Sequence, residues 1–501
     1  MEPPSSSTND PLLELVRRQA HVRGSMPYVL DARSPRVLSY EQLSDEVDEH
    51  RRQLLGWGLG AGDRLGLVVA DPVVFAAWFI AGIAAGAWVV PLDPTVASSA
   101  ASRERAQALG VGLVVSDQAS PDTSSLRWIH PGAPSIPTVT TAPEEVGSAR
   151  GGVLLSSSGT TGTAKVVALG VHQLLATALL IADHHHFDES DRGFNPLPLW
   201  HVNAEVVGLL STLVAGSSLV LDERFHRTGF WKLVDDFNVT WINAVPAIIS
   251  RLATLSEDET PSDRIRFVRS ASAPLAAALF ERFESDVAIP VVQTYGMTEA
   301  ASQICATPLD GQRKAGSVGV PVGVEVRVRD DGTGVGAIEI KGPTVIRRYE
   351  SPGYDDRFDD GGWLRTGDIG YFDEDHYLFI VGRDDDVINR GGEKIYPIEI
   401  ERVLASVEGV ANVAVAARAD EVFGQVAVAF VETAHDVALD SLEEFVALVA
   451  RVRAHAVETL PTAQRPVAVV VVRELPMNAT GKIQSSRLRE GDAPVVYEER
   501  L

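Results

Sequence analysis

The chain has 501 residues, of which 45% are hydrophobic and 22% charged; this is ordinary globular composition, and the chain is too long for a single hydrophobic core. Lys plus Arg number 44 against 68 Asp plus Glu, which gives a net charge of -24, so the surface repels nucleic acid and anionic lipid unless a local basic patch intervenes. The single cysteine, Cys305, excludes an intrachain disulfide and a cysteine-based structural zinc site.

The N-terminal part of the chain contains one long apolar run. The first five residues lack the basic-then-apolar pattern of a signal peptide, whereas residues 73–90 are apolar throughout and long enough to be a candidate membrane span. Ala and Gly dominate this run, and Gly86 interrupts it before a β-rich stretch. We therefore predict a buried helix followed by a buried strand, in a cytoplasmic protein without membrane partners.

Strand and helix patterns alternate through the first three quarters of the chain, which favours an α/β fold with largely parallel sheets. Residues 117–148, rich in Pro, Ser and Thr, are predicted to be irregular, and short strands with Gly-rich turns begin near residue 313. The predicted strands of this region are 64–69, 111–116, 217–221 and 241–244, and a predicted helix is 230–237.

A second break in the pattern falls near residues 382–386. Beyond it the pattern predicts a compact α+β unit, long enough to form an independent domain, with strands 410–417, 426–431 and 467–472 and helices 397–406 and 442–457. We therefore predict a large N-terminal domain at 1–382, a hinge at 383–386 and a small C-terminal domain at 387–501.

A Ser/Thr/Gly-rich segment at residues 156–165 lies between two apolar strand patterns. Its glycines let the backbone present N–H groups to an anion, its hydroxyls add donors and its lysine adds charge. The spacing differs from a Walker A loop, and a flexible Ser/Gly turn is the alternative. The predicted phosphate-binding residues are Ser157, Ser158, Gly159, Thr160, Thr161, Gly162 and Lys165.

This segment is the first of six ordered motifs spread over more than 300 residues. The other motifs are Pro-Leu-Trp-His at 198–201, Tyr-Gly-Met-Thr-Glu at 295–299, Trp-Leu-Arg-Thr-Gly-Asp at 363–368, the hinge region at 382–401 and Pro-Met-Asn-Ala-Thr-Gly-Lys at 476–482. The set resembles the adenylate-forming superfamily of acyl-CoA synthetases, carrier-protein adenylation domains and firefly luciferase. The resemblance implies α/β subdomains plus a β-rich subdomain, hinged to a small mobile α+β domain, and it implies ATP, Mg²⁺ and coenzyme A as cofactors.

Activation of an acid by ATP brings a carboxylate against the α-phosphate, so catalysis consists mostly of positioning and charge stabilisation. The resemblance implies that Lys482 drives adenylation, and a lysine is a compact point charge suited to neutralising both anions. Glu299 is a plausible carboxylate ligand of Mg²⁺, which prefers oxygen ligands, and Thr298 beside it is suited to an α-phosphate contact.

The remaining motifs supply the predicted nucleotide and acyl sites. Asp368 can accept from the ribose hydroxyls, Arg383 can add a donor, and Tyr295 can stack on adenine; each alone could equally be structural. The predicted adenine- and ribose-binding residues are Ser272, Ala273, Pro274, Thr294, Tyr295, Gly296, Asp368 and Arg383. The predicted acyl-pocket residues are His201, Val202, Asn203, Val207, Ala244, Val245, Ser270, Ala271, Gly296 and Met297.

Three further features carry alternative interpretations. His201 is predicted to border the acyl pocket or the thiol entry and to take part in catalysis. The alternative is a buried structural histidine whose hydrogen bonds are made within the core. The run His184-His185-His186 suggests metal binding, but we predict a solvated helix end. The run Asp384-Asp385-Asp386 is predicted to be a polar hinge rather than a metal site, with Asp385 as the pivot.

The hinge matters because activation and thiol transfer need different groups at the same acyl carbonyl, and a rotating domain can supply them in turn. Lys482 would serve the first conformation. The loop predicted to face the thiol and coenzyme A in the second contains Arg390, Gly391, Gly392 and Lys394.

The chain departs from the family pattern at two places. Ala164 and Val166 replace the proline and second glycine of the phosphate loop, but Lys165 remains, so we expect phosphate binding to persist. Amino-acid-activating relatives place an aspartate near the His201 segment to hold the substrate ammonium. The absence of this aspartate indicates a substrate acid without an α-amino group, although the nearby Glu205 leaves an amino acid substrate open.

The sequence thus predicts an acyl-CoA synthetase that makes acyl-AMP and pyrophosphate and passes the acyl group to coenzyme A, as a monomer or homodimer. One alternative is a ligase that loads a separate carrier protein, and a luciferase-like oxidative second step is another. An alternative from another class is a catalytically silent relative that binds nucleotide or acyl ligand.

Overall fold

The computed structural model describes residues 10–96, 99–118, 126–133, 151–157, 165–256, 259–330, 332, 334–433, 442–477 and 483–500. These residues form four β-sheets with α-helices packed on them. The predicted α/β class, with a β-rich subdomain and a small C-terminal α+β unit, is confirmed.

The helices are α1 Pro11–Arg23, α2 Tyr40–Gly56, α3 Pro72–Ala84, α4 Ala100–Ala108, α5 Val171–His184, α6 Ser211–Ala215, α7 Phe230–Asp236, α8 Pro246–Leu252, α9 Ala277–Asp286, α10 Pro397–Leu404, α11 Leu442–Thr459 and α12 Ser485–Arg489. A π-helix spans Asn203–Leu210, and short 3₁₀ turns lie at Thr298–Ala300, Asp355–Arg357, Asp384–Asp386 and Thr462–Gln464.

The strands are β1 Pro27–Asp31, β2 Val37–Ser39, β3 Arg64–Val68, β4 Trp88–Pro91, β5 Leu113–Ser116, β6 Arg127–Ile129, β7 Gly152–Ser157, β8 Lys165–Gly170, β9 Arg192–Asn195, β10 Ser218–Leu221, β11 Trp241–Ala244, β12 Phe267–Ser270, β13 Val291–Tyr295, β14 Cys305–Ala306, β15 Val320–Pro321, β16 Glu325–Asp330, β17 Gly336–Lys341, β18 Leu364–Phe372, β19 Leu378–Arg383, β20 Ile388–Arg390, β21 Glu393–Ile395, β22 Val410–Asp420, β23 Gly424–Thr433, β24 Ala468–Val472 and β25 Val495–Arg500.

Two sheets dominate the N-terminal part. One has the strand order β6-β5-β3-β4-β7-β8, and the other has the order β15-β14-β13-β12-β11-β9-β10-β1-β2. The run from β10 through β9, β11 and β12 to β13 is parallel throughout. All residues of these strands except half-buried Arg192 are buried, as in parallel sheets covered by helices. Their carboxyl ends therefore lie along one edge.

Helix α3 accounts for most of the long apolar run. Asp71 caps its N-terminus by accepting from the N–H groups of Val73 and Val74, and Pro72 suits the first turn because its missing N–H would be unpaired there. Gly86, in the left-handed region at φ 80°, turns the chain into β4. Among the described residues, no helix combines the length and the apolar character needed to cross a bilayer.

The third and fourth sheets lie after the point near residue 313 where the sequence changes to short strands with Gly-rich turns. An antiparallel sheet of order β16-β17-β18-β19 precedes the hinge region, and the C-terminal unit contains β21-β20-β23-β24-β25 with β22 paired to β23. Successive residues of β22, such as Val413 and Ala414, point to opposite faces of the sheet and belong to different apolar clusters. Helices therefore cover both faces of this sheet, and its buried residues are grouped separately from the large N-terminal core.

Candidate active site

The phosphate-loop residues Ser158 to Gly162, together with Lys482, lie outside the described residues. The structure places the stem on either side of the loop, because Ser157 and Lys165 pair in the antiparallel ladder of β7 and β8. Lys165 Nζ lies 5.2 Å from the ring centroid of Tyr354 and 5.9 Å from that of Tyr349. Burial lowers the pKa of Lys165, the nearby Arg357 lowers it further, and Glu299 acts in the opposite direction.

Glu299 lies in the short 3₁₀ turn that follows β13 and is buried, with half-buried Thr298 before it. The hydroxyl of Tyr349 donates to Glu299 Oε1 at 2.9 Å, and no described residue donates to Oε2. A carboxylate oxygen without a described donor, near Lys165 at the end of the predicted phosphate loop, fits Mg²⁺, which takes one or two protein carboxylates together with substrate phosphates and water. The described residues contain no cluster of three or more His, Cys, Asp or Glu side chains that could hold a metal by themselves.

The turn around Glu299 has a strained backbone. Ala301 and Ser302 adopt positive φ angles of 48° and 84°, a conformation that is costly for residues with a Cβ and that concentrates at functional sites. A Cβ at Gly296 would lie 1.8 Å from the Ser302 carbonyl oxygen, so only glycine allows the chain to fold back here. Gly296 itself is exposed, and Met297 is half-buried against the core.

Tyr295, Asp368 and Arg383 meet on the other side of this turn. The Tyr295 hydroxyl donates to Asp368 Oδ2 at 2.5 Å, and Arg383 Nη1 lies 3.4 Å from Asp368 Oδ1. The antiparallel register of β18 and β19 places Asp368 opposite Arg383. Burial and the Asp368 charge raise the pKa of Tyr295 well above its ordinary value, so its hydroxyl remains a donor.

Three cationic side chains converge at this point. A Cβ at Gly367, whose φ is 85°, would lie 3.2 Å from Arg383 Nη2 and 3.3 Å from Arg357 Nη2. Lys165 is electrostatically coupled to both arginines. Burial works to lower the pKa of Arg383, but the carboxylates of Asp368, Asp385 and Asp386 raise it. The highly acidic chain therefore brings three cationic side chains together at this point, beside the carboxylates of Glu299 and Asp368.

The small-residue loop follows the carboxyl end of β12. The Ala271 N–H donates to the Ala244 carbonyl at 3.1 Å, and Thr294 Oγ1 donates to the Ser270 carbonyl at 2.9 Å. Ser272 has a positive φ of 72°, which turns the chain away from the sheet. Ser272 and Pro274 are exposed, and Ala273 is half-buried, as expected for residues at the edge of a cleft.

The predicted acyl-pocket segment enters the π-helix, a rare form that is frequent at functional sites. His201 and Val202 are half-buried before it, and every residue of the π-helix, including Asn203, Glu205 and Val207, is buried. His201 Nε2 is buried without a hydrogen-bond partner in the described chain. Burial lowers the pKa of His201, as does Arg105, whereas Asp93 raises it. Ala244 and Val245 are buried at the end of β11.

The thiol-side loop is held within the C-terminal unit. The Arg390 guanidinium stacks on Phe423 at 4.7 Å and donates to the carbonyls of Thr462 and Ala463. Gly391 and Gly392 have φ angles of 61° and 96°, and Lys394 is exposed. Met477 and Ile483, on either side of residues 478–482, pair with each other.

Two sequence predictions are wrong in part. Residues 117–148, predicted to be irregular, contain β6. In the predicted solvated helix end His184-His185-His186, His186 is exposed, but His185 is fully buried and packs edge-on against Phe187 and Phe267. Burial and the charge of Arg269 lower the pKa values of His184, to about 4, and of His185. The sequence-based assignment failed because helix α5 ends against the sheet rather than in solvent.

Sequence reasoning also missed several polar residues of the site. Arg357 and Tyr349 carry no local motif. Arg269 and Gln303 were also missed, and they form a buried hydrogen-bonded group with Asn243, which adjoins the predicted pocket residue Ala244. A signal for Arg269 was present, since an arginine inside the apolar strand Phe267–Ser270 is rarely buried without a partner.

The fold, with Lys165, buried Glu299 and the group of Asp368, Tyr295 and Arg383 in one region, is that of an AMP-forming acid–thiol ligase. The chain belongs to the AMP-binding enzyme family: that family's model matches residues 16–350, and the model of the AMP-binding enzyme C-terminal domain matches residues 399–482.

Known proteins similar to this chain over nearly its whole length include two CoA ligases. It is 32% identical to sulfoacetate–CoA ligase of Cupriavidus necator, over 96% of this chain and 97% of that protein. It is 32% identical to oxalate–CoA ligase of Arabidopsis thaliana, over 89% of this chain and 92% of that protein. The structure resembles ATP-bound MatB from Rhodopseudomonas palustris with a TM-score of 0.84 at 27% identity, covering 96% and 98% of the two chains.

Proposed function

We propose that this enzyme activates a non-amino carboxylic acid with ATP to give acyl-AMP and pyrophosphate, and then transfers the acyl group to coenzyme A. It is proposed to act in the cytoplasm as a monomer or homodimer, with Mg²⁺ bound alongside ATP. The CoA ligases that it resembles over most of their length support coenzyme A as the acceptor.

Arg357 and Arg383 lie beside Gly367, Lys165 interacts electrostatically with both, and this group of cations carries the proposal. A chain with a net charge of -24 gathers three cations where buried Glu299 and half-buried Asp368 also lie. A polyphosphate needs positive charge and N–H donors, a hydrated Mg²⁺ needs a carboxylate, and a ribose needs an acceptor. These requirements coincide in ATP.

In the first step, a carboxylate oxygen of the acid attacks the α-phosphorus, and the bond from that phosphorus to the bridging oxygen breaks. Pyrophosphate leaves with the electron pair. Lys482 is proposed to neutralise the carboxylate and the α-phosphate, while Lys165 and the residues of the loop, Ser157 to Gly162, hold the other phosphates. Mg²⁺, held by Glu299, would offset the charge on the leaving group, and Thr298 would contact the α-phosphate.

The nucleoside is proposed to lie between Tyr295 and the loop Ser272–Ala273–Pro274. Asp368, fixed by its hydrogen bond from Tyr295 and by Arg383, presents its carboxylate to the ribose. Thr294 and Gly296 complete this wall. The acyl chain would enter beside His201, Val202 and Asn203, opposite the second wall of the acyl pocket. That second wall is formed by Val207, Ala244, Val245, Ser270, Ala271 and Met297.

In the second step, the thiol sulfur attacks the acyl carbonyl, the carbon–oxygen bond to AMP breaks, and AMP leaves. The thiol proton passes to solvent or to a base, and His201 is proposed to border the thiol path. Rotation about Asp385 would exchange Lys482 for the loop Arg390, Gly391, Gly392 and Lys394, whose glycines leave room for a pantetheine arm.

The deciding experiment measures pyrophosphate release with ATP and Mg²⁺ over a panel of carboxylic acids, with and without coenzyme A. Acid-dependent release with accumulation of acyl-CoA is expected. Acid-dependent release without a thioester would instead indicate a carrier protein as acceptor. ATP binding without release for any acid would indicate a catalytically silent relative.

Substitution Lys482→Ala tests the assigned lysine. Pyrophosphate release should fall at least about 100-fold, because no other group would neutralise the approaching anions, while ATP binding persists. Lys341→Ala, on the exposed end of β17, is the matched control and should keep wild-type turnover. Full turnover in Lys482→Ala would remove that lysine from the mechanism.

A further inference from the structure

Arg269 is a buried cation without a counter-charge. Its side chain is fully buried in the middle of the parallel sheet, on β12 between β11 and β13. No ion pair joins it to any carboxylate in the described part of the chain. By contrast Arg266, three residues earlier, lies 2.6 Å from Asp191. A buried guanidinium without an anionic partner is strongly unfavourable.

The groups around Arg269 offer neutral acceptors only. Nη2 donates to Gln303 Oε1 at 2.9 Å, and Nη1 lies at a long 3.4 Å from Asn243 Oδ1. The Nε atom is buried and has no described acceptor. The histidines that interact with Arg269 from the end of α5, His184 and His185, are kept neutral by burial, so they add no further positive charge and cannot supply a negative one.

Two further asparagines extend this group toward the π-helix. Asn243 Nδ2 donates to Asn195 Oδ1 at 2.8 Å and to Asn203 Oδ1 at 2.7 Å. The polar cluster of Asn195, Asn203, Asn243, Arg269 and Gln303 thus lies between the π-helix and the sheet. All five side chains are buried, and the cluster contains one positive charge and no negative charge.

The polar cluster is also placed to meet the acyl group. Asn243 and Arg269 immediately precede Ala244 and Ser270, the last residues of β11 and β12. The carboxyl ends of parallel strands are where open α/β sheets bind ligands. Asn203, two residues after His201, supplies the facing side.

We propose that Arg269 is the specificity-determining residue of the acyl pocket, and that it binds a second anionic group on a compact acid substrate. The free Nε edge of a guanidinium fits a planar carboxylate or a sulfonate. The names of two similar enzymes, sulfoacetate–CoA ligase and oxalate–CoA ligase, specify acids that contain such a group. This inference rests on the proposed ligase function and specifies its substrate class.

Glu205 is the competing residue. It is fully buried in the π-helix, neither of its carboxylate oxygens has a described hydrogen-bond partner, and it forms no ion pair with Arg269. Burial raises the pKa of Glu205 well above its ordinary value. Burial thus favours the protonated form of Glu205, and no ion pair joins it to Arg269 in the described part of the chain. An ammonium-bearing substrate would be the natural partner of an ionised Glu205.

The test uses the full-length enzyme and measures kcat/KM for pyrophosphate release with acids matched in carbon number. The pairs are acetate and oxalate, propionate and malonate, and butyrate and succinate; sulfoacetate tests a sulfonate, and β-alanine tests an ammonium. The wild type should prefer at least one doubly acidic member over its partner by about 100-fold or more, because its second anion pairs with a buried cation.

Arg269→Met should lose that preference by about 100-fold or more, and Arg269→Lys, which lacks the fork of donors, should lose about tenfold or more. Without ligand, Arg269→Met should melt no lower than the wild type, because an unpaired buried charge has been removed. The preferred acid should raise the melting temperature of the wild type but not of this variant. Arg266→Met, the control, should melt lower yet keep the wild-type preference.

Preference of the wild type for the singly acidic members or for β-alanine would overturn the assignment of Arg269 while leaving the ligase function intact. Unchanged acid preference in Arg269→Met or Arg269→Lys would also overturn it. Failure of every acid to release pyrophosphate would overturn the ligase function itself, and the inference with it.

Discussion

Tyr295 and Asp368 are separated by 73 residues in the sequence, but the Tyr295 hydroxyl donates to Asp368 Oδ2 at 2.5 Å in the proposed nucleotide site. Burial keeps the tyrosine protonated, so the carboxylate always faces a donor. A hydrogen bond to an ionised group contributes about 1.5–3 kcal/mol. This hydrogen bond fixes the orientation of Asp368 before any ligand arrives.

Removing the hydroxyl with Tyr295→Phe should therefore weaken ATP binding. We expect the dissociation constant for ATP to rise about tenfold, because Asp368 can then turn toward Arg383 and away from the ribose. Calorimetric titration of ATP into the variant measures this.

Tyr28→Phe is the matched control. Its hydroxyl is also buried and donates to the Leu209 carbonyl at 2.8 Å, but it lies in the core between α1, α2 and the π-helix region. This variant should lose about 1 kcal/mol of stability and bind ATP normally. Equal weakening of ATP binding in both variants would show that the Tyr295 effect is one of general stability.

At the scale of elements, α10 packs on β22 with a carboxyl group between them. Glu401 Oε1 accepts from the Val415 N–H at 2.8 Å, and burial raises the pKa of Glu401 to about 7, against its ordinary 4.5, while this hydrogen bond acts in the opposite direction. The protonated acid is therefore favoured in the folded C-terminal unit, whereas the unfolded chain ionises near pH 4.5.

The sign of the pH dependence follows. Between about pH 4.5 and pH 7 the folded state binds more protons than the unfolded state. The contribution of Glu401 to the free energy of unfolding therefore falls as the pH rises through that window, and it is constant above and below the window. Glu401→Gln keeps the acceptor and cannot ionise. Between pH 4.5 and pH 7.5 the free energy of unfolding of Glu401→Gln should therefore rise on the order of 2–3 kcal/mol relative to that of the wild type.

Hydrogen exchange of β22, corrected for the intrinsic rate at each pH, measures this difference in the intact chain. Glu408→Gln, at an exposed position shortly after α10, should follow the wild-type profile. A constant gap between wild type and Glu401→Gln across the pH range would show that Glu401 ionises normally in the folded protein.

At the scale of the whole molecule, the connection between β19 and β20 is the short 3₁₀ turn Asp384–Asp386. Asp386 pairs with Arg489 of α12 at 2.8 Å, whereas Asp385 is exposed and is coupled to Arg383. The segment thus interacts with Arg383 of the proposed nucleotide site and with α12 of the C-terminal unit, which is consistent with the proposed pivot.

Asp385→Pro should separate the two half-reactions. Proline fixes φ and restricts the preceding residue, so a rotation about this position would be blocked. Acid-dependent pyrophosphate release should stay within about threefold of the wild type, and acyl-CoA formation should fall about tenfold or more. Asp385→Ala, which removes the charge without fixing φ, should keep both rates. Wild-type thioester formation in Asp385→Pro would place the pivot elsewhere.

The alternation of apolar strands and helices, the long buried helix α3 and the β-rich stretch before the hinge region could all be predicted from the sequence. Periodicity and Gly or Pro breaks are local properties, and β11 at Trp241–Ala244 and α7 at Phe230–Asp236 lie within a residue of their predicted bounds. The ordered motifs also indicated the ligase class, because each motif is a contiguous segment, such as 295–299 or 363–368, that can be recognised without knowledge of the fold.

Only the tertiary structure decided which distant side chains meet. Arg357 and Tyr349 join the site across loops, His185 is buried because α5 ends on the sheet, and Arg269 faces Asn243 because β11 and β12 are paired in register. Periodicity fixes whether a residue lies in a strand or a helix. Charge balance in the interior depends on neighbours brought together by folding, and it is that balance which points to the acid this enzyme takes.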